Sequence, residues 1–421
     1  MAHVATPSRA RRILAAVAAA IAALTAVGAV ILWPGDVEQG ELADVASVGV
    51  TADAEVLRVV EGACAGSVEP SASPCQIVTI KLTSGDEAGR EAAIEFPVGS
   101  PLGEVSEGDT IIVARSESEG TVRYSFVERD RKSILLLLSI AFALAVIALG
   151  RLRGALALVG LIGSVLVILR FILPAVLQGT SPMLVAVVGS SMIAFLALYL
   201  AHGFRPLTNV ALLGTISSLA ITLILSEVFT GLANFTGFSS EEAFLVSLGA
   251  GQVDLQGLIL AGVIIGALGA IDDITVTQAS TVSELLGAAS LSRRELFGSA
   301  MRVGRDHVAS TVNTLFLAYA GASLPLLLLF VLTGRSFASV ANSEVIAVEI
   351  VRTLVGSIGL VTAVPITTAL AVLSFERMSH NPAPPASDGA EQGSGVGQPD
   401  THWMPERRLD LWRRGRRRKQ P

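Results

Sequence analysis

Eight separate runs of about 17 to 25 mostly apolar residues leave this chain few ways to fold, because each can cross a hydrocarbon core about 30 Å thick as a helix. The runs are 13–33, 133–150, 154–173, 183–201, 207–230, 256–274, 311–332 and 349–375. Within a bilayer every backbone polar group has to be satisfied inside the protein, and a helix does this by itself. With 52% hydrophobic residues, only 16% charged ones and a mean hydropathy of +0.64, the composition points away from a soluble enzyme. The expected fold class is a polytopic α-helical membrane protein of about eight transmembrane helices, with a small extracytoplasmic all-β domain inserted after the first.

Charge sets the orientation. Arg9, Arg11 and Arg12 precede the first run, whose roughly twenty apolar residues exceed the usual 7 to 15 of a cleaved signal core, so a retained signal anchor is expected. By the positive-inside rule residues 1–12 are cytoplasmic and the chain emerges near Pro34. Arg151, Arg153, Arg205, Arg293, Arg294, Arg302 and Arg305 all fall in turns that this alternation places inside, and Arg335 is the main exception. The division is then a cytoplasmic N-terminus at 1–12, an anchor at 13–33, a β domain at 34–132, a seven-helix core at 133–375 and a tail at 376–421, with both termini cytoplasmic. The tail is rich in Pro, Gly, Ser and Gln, then strongly basic, a composition expected to stay disordered.

The 34–132 segment carries nineteen acidic against eight basic side chains. Its β-branched runs, 48–60, 76–82, 92–96, 110–114 and 121–127, predict five short strands in a barrel or sandwich of the oligosaccharide-binding-fold type. Gly108-Asp109 predicts a turn ahead of a buried strand. Without an aromatic stacking row or a basic groove, nucleic acid is not an expected partner. Both cysteines, Cys64 and Cys75, lie here, so outside the cytoplasm they are disulfide candidates, free thiols being the alternative.

The stretch from Leu258 to Asn313 concentrates the polar chemistry. Gly262, Gly266 and Gly269 recur at spacings of three and four, predicting a face on which another helix packs closely, within one bundle or between two copies in a homo-oligomer. The same face continues through Asp273, Thr277, Ser280 and Glu284, while Asp272 lies about 100° away around the helix. A second stripe holds Arg302, Arg305, Asp306, Ser310 and Asn313, with His307 beside it. If the two stripes face each other they could hold a cation, relay protons or bind an anion, since charges at membrane depth are expensive and collect in cavities or pairs. The plainer alternative is an ion pair between Asp272 or Asp273 and Arg302 or Arg305 that locks the loop. Arg170 and Glu227 sit where they can reach the outer interface, Glu349 and Arg352 can pair at i,i+3, and Pro325 and Pro365 predict kinks. No Walker loop, His-Glu-x-x-His pair or Gly-x-Ser-x-Gly elbow is present. No enzyme activity and no cofactor are expected, and any metal is unassigned.

These residues also carry a resemblance. Gly266 to Asp273, Ser280, Glu284, Leu296-Phe297, Gly304-Arg305-Asp306, Asn313-Thr314-Leu315, Ala318 to Gly321, Leu324-Pro325 and Gly356 to Gly359 resemble the YibE/YibF-like multitransmembrane proteins of bacteria. Where the family pattern has one aspartate after the glycines, this chain has two. The resemblance implies a multi-pass protein of the bacterial plasma membrane, regarded as a permease without an established substrate. The expectation is a permease for an unknown small solute or ion, cation- or proton-coupled, whose partners are that solute and the lipid bilayer. The alternative is a scaffold or sensor whose outer β domain binds an envelope ligand.

Overall fold

The computed structural model describes residues 9–35, 51–62, 75–97, 105–118, 121–249, 252–288 and 291–375. Cys64 and the tail 376–421 lie outside the described residues; Cys75 opens a strand and is buried.

Five strands stand where the β-branched runs predict them: β1 (Thr51–Gly62), β2 (Cys75–Leu82), β3 (Glu91–Pro97), β4 (Thr110–Ser118) and β5 (Thr121–Arg129). They form one antiparallel sheet in the order β3-β2-β1-β4-β5. β1 is shared, pairing Thr51–Glu55 with β4 and Ala54–Gly62 with β2. Bulges between Val56 and Arg58 in the β1–β2 pair and between Ile112 and Val113 in the β4–β5 pair bend the sheet. The edge strands β3 and β5 approach each other, so the sheet curls into a half-barrel around Val56, Val78, Ile80, Ile94, Ile111 and Val113. Of the two forms expected, a single curled sheet is not a sandwich. Gly108, at φ 87°, makes the turn into β4, with its N–H on Val56 O.

Only Asp130 and Arg131 separate β5 from the helical core. Its first helix, α2 (Lys132–Val167), follows α1 (Arg9–Ile31), and Lys132 Nζ lies 2.8 Å from Asp53 Oδ1 of β1. α2 is interrupted at Arg151, whose φ of 50° and ψ of −130° are not helical. A Cβ on Gly154 would collide with the carbonyl oxygen of Val146. In an unbroken helix residues eight apart stand about 12 Å apart, so the chain doubles back here. The turn predicted at Arg151–Arg153 is therefore a tight helical hairpin.

The second arm passes through a π-helical turn, Ile168–Ile172, into α3 (Leu173–Leu177). Pro174 accounts for the π turn: it has no N–H for the Arg170 carbonyl and its ring would press on it, so Leu173 N–H bonds Ile168 O instead. Next come α4 (Pro182–His202), α5 (Pro206–Leu232), α6 (Glu241–Gly249) and α7 (Leu255–Ala288). After them come α8 (Arg293–Ala322), α9 (Leu324–Leu332), α10 (Phe337–Ala341) and α11 (Glu344–Ser374).

One expectation is corrected. The 311–332 run is no single straight span: α8 and α9 meet at a 59° bend, because Pro325 at the start of α9 cannot continue the α8 ladder. The two helical faces read in 275–310 lie on α7, which carries on to Ala288, and on α8, which begins at Arg293 and is capped by a reciprocal Ser292–Glu295 box. Their polar stretch still buries Ile274, Ala279, Val282, Leu296 and Ala300, and that apolar face holds both helices together.

Among the described residues six helices are long and apolar enough to cross a membrane, and the bent α8–α9 pair makes a seventh when taken as one span. Helix ends cluster in two groups. At one, Gln178 exchanges hydrogen bonds with the backbone of Gly35 (3.0 and 3.1 Å), and Glu344 accepts from Thr236 and Gly237 (2.7–3.0 Å). At the other, Arg11 Nε donates to Ser374 O at 3.2 Å. In the centre α5, α7 and α11 pack closely on small residues. A Cβ on Gly214 would strike Thr367, and one on Gly359 would strike Thr222.

Candidate functional site

The close packing of α5, α7 and α11 encloses an unexpected set of side chains. Thr208, Thr215, Ser218, Thr222, Ser226 and Thr230 of α5 are each at most 1% exposed. Steps of three, four and seven put them on one helical face. Thr367 and Thr368 of α11 and Thr275 and Gln278 of α7, all within 3% exposure, turn toward the same interior. A seam of hydroxyls thus runs through the otherwise aliphatic interface between these three central helices.

Some of these groups bond one another. Thr215 Oγ1 lies 2.8 Å from Thr275 Oγ1, and Thr275 Oγ1 donates to the backbone carbonyl of Asp272 at 2.9 Å. Gln278 Nε2 donates to Thr368 Oγ1 at 2.7 Å and to Ala300 O at 3.0 Å. Gly304 makes room for it, since a Cβ there would stand 2.8 Å from Gln278 Oε1. Others have no partner: Ser218, Ser226, Thr230 and Thr367 bury hydroxyl oxygens without a hydrogen bond among the described residues. Each such group costs roughly 1–3 kcal/mol when left unsatisfied.

One carboxylate belongs to this seam. Asp272 is partly buried, and Thr215 Oγ1 donates to its Oδ1 at 3.4 Å. Among the described residues no Lys, Arg or His comes within 4.0 Å of it. A partly buried carboxylate without a basic partner has no protein charge to offset its own.

The other expected site residues are not brought together. The side chain of Asp273 is 70% exposed, and its nearest basic group is His307 Nε2 at 3.9 Å. Glu284, Arg305, Asp306 and Asn313 are exposed, and Arg302 donates to Ser299 Oγ of its own helix at 2.8 Å. Asp273 of the first stripe reaches only His307 beside the second, and no ion pair joins Asp272 or Asp273 to Arg302 or Arg305 among the described residues. The cause is rotational: α7 turns Asp272 toward α5 and leaves Asp273, one residue on, at the surface.

The glycine face of α7 also differs from expectation. It receives side chains instead of another helix backbone: a Cβ on Gly262 would stand 3.3 Å from Arg352 Nη2, and one on Gly266 2.7 Å from Tyr319 Oη. Gly269 has nothing within 4 Å. Arg352 makes its expected pair with Glu349 at 2.8 Å. Arg170 and Glu227 are exposed. Among the described residues no group of three or more His, Cys, Asp or Glu could hold a metal ion.

Long apolar helices around a polar seam are the features of the α-helical membrane protein class. Within it, residues 138–377 match the model of a family described as YibE/F-like protein, which covers more than half of the chain, and the chain belongs to that family. No curated protein and no solved structure matches it.

Proposed function

We propose that this chain is a membrane permease whose path follows the hydroxyl seam between α5, α7 and α11, with Asp272 as the group that carries the coupling proton or cation. The observation that carries this reading is a carboxylate without a basic partner at one point of a row of buried hydroxyls, several of them without hydrogen bonds. Hydroxyls suit a path because they donate and accept by rotation alone, and so pass a proton or replace part of an ion's hydration at little cost. The hairpin at Arg151 divides Lys132–Leu177 into two crossings, which supports eight spans and both termini on the arginine-rich, cytoplasmic side.

The test is flux in proteoliposomes, with a luminal pH dye and a panel of monovalent and divalent cations and small solutes. Asp272→Asn keeps the shape and the acceptor for Thr215 but removes the charge. It should lower coupled flux about ten-fold or more, equivalent to about 1.4 kcal/mol, with insertion unchanged. Asp273→Asn should leave flux near wild type. Full flux through Asp272→Asn would sink the proposal.

A further inference from the structure

Two adjoining cavities lie at the end of the bundle where Arg11 meets Ser374. The first, about 340 Å³, is edged by Arg11 and Arg12 of α1 together with Arg205 and Asn209 at the start of α5. The second, about 500 Å³, runs along α1 over Ala15, Ala19 and Ala22, and its far wall is Phe195, Tyr199 and Phe204. Ala15, Phe204 and Asn209 line both, so the two are continuous. The aromatic wall is ordered: Phe195 stacks on Tyr199 at 5.8 Å and Tyr199 on Phe204 at 4.8 Å. Tyr199 Oη donates to Asn209 Oδ1 at 2.7 Å.

From this arrangement we infer a binding site for one anionic phospholipid, its headgroup among the arginines and an acyl chain in the slot between α1 and α4. Charge supports this occupant: three guanidinium groups edge the mouth and, among the described residues, no carboxylate lines either cavity. A planar guanidinium donates to two phosphate oxygens at once. The slot explains why a soluble anion is the poorer fit, because alanines and ring faces offer it nothing while they suit a hydrocarbon chain. Phe204 agrees with the same account. It is 91% exposed although it edges the slot, a position in which an acyl chain would cover it. The arginine-rich end is also the one that the positive-inside rule turns to the cytoplasmic leaflet, where anionic lipids attract basic residues.

The test uses the full-length protein in phosphatidylcholine nanodiscs doped with phosphatidylglycerol. Native mass spectrometry reads the retained lipid. Wild type should keep phosphatidylglycerol in preference to phosphatidylcholine, and Arg12→Gln/Arg205→Gln should lower that retention roughly ten-fold. Ala19→Phe, which fills the slot without changing charge, should lower it as well. Arg335→Gln, away from the cavities, should not. Should the double variant fail to fold, Arg12→Gln alone, on an exposed side chain, gives the same reading at smaller size. Equal retention of both lipids, no effect of Ala19→Phe, or displacement by inorganic phosphate at millimolar level would each overturn the assignment.

Discussion

Asp272 and Asp273 are chemically identical neighbours, yet one faces Thr215 and the other stands 70% exposed near His307. What separates them is the rotation of about 100° per helical residue. That much was legible: the sequence already allowed only one of them to lie on the glycine stripe. It did not say which partner the other would find, because the answer sits in α5. Thr215, Ser218, Thr222 and Ser226 look unremarkable in an apolar run, since membrane helices tolerate Ser and Thr, which can bond to their own backbone. The signal that could have found them is their common face at steps of three, four and seven. A double-mutant cycle tests the contact. Thr215→Val and Thr275→Val should each destabilise the protein in detergent by about 1 kcal/mol, and their effects should be less than additive because they share a bond. Strict additivity would mean that the Thr215–Thr275 contact contributes nothing.

Helices in this chain were easier to foresee than their breaks. The five strands were legible because β-branched runs alternate and are cut by Gly, Ser and Asp, and the apolar runs declare helices by length alone. The hairpin at Arg151 was legible from its charges, while the sharpness of the turn was not. Arg151 adopts a left-sided backbone conformation, at φ 50°, that favours glycine. Arg151→Gly should therefore stabilise the folded protein by about 1 kcal/mol, read as a higher thermal midpoint in detergent, provided the side chain makes no compensating contact. A lower midpoint would show that the arginine itself anchors the turn. The α8–α9 bend was half legible: Pro325 predicted a kink, and the structure makes it a 59° change of direction. The polar stretch 275–310 was legible as two helical faces, but not as a packed pair. Charged residues there occupy the outer faces, whereas Ile274, Ala279, Val282 and Ala300 make the inner one.

For the molecule as a whole, the two readings of function part at the β domain. It carries its own core and its own cavity, edged by Ser84, Asp86, Glu87, Arg115 and Tyr124, where Arg115 lies 3.7 Å from Glu87. Replacing residues 36–130 with a short Gly-Ser linker separates the readings. A permease core should keep measurable flux, since the seam is built wholly from α5, α7 and α11; a scaffold that senses through its outer domain should lose every ligand response. Complete loss of flux in a variant that still inserts would move the essential site into the sheet.

The junction of two residues between β5 and α2 has a mechanical meaning. A long Gly- or Ser-rich linker absorbs rotation, and a short span of this kind, with Lys132 held 2.8 Å from Asp53, does not. The sheet and the first helix of the core are therefore joined by a short strut, not by a loose tether.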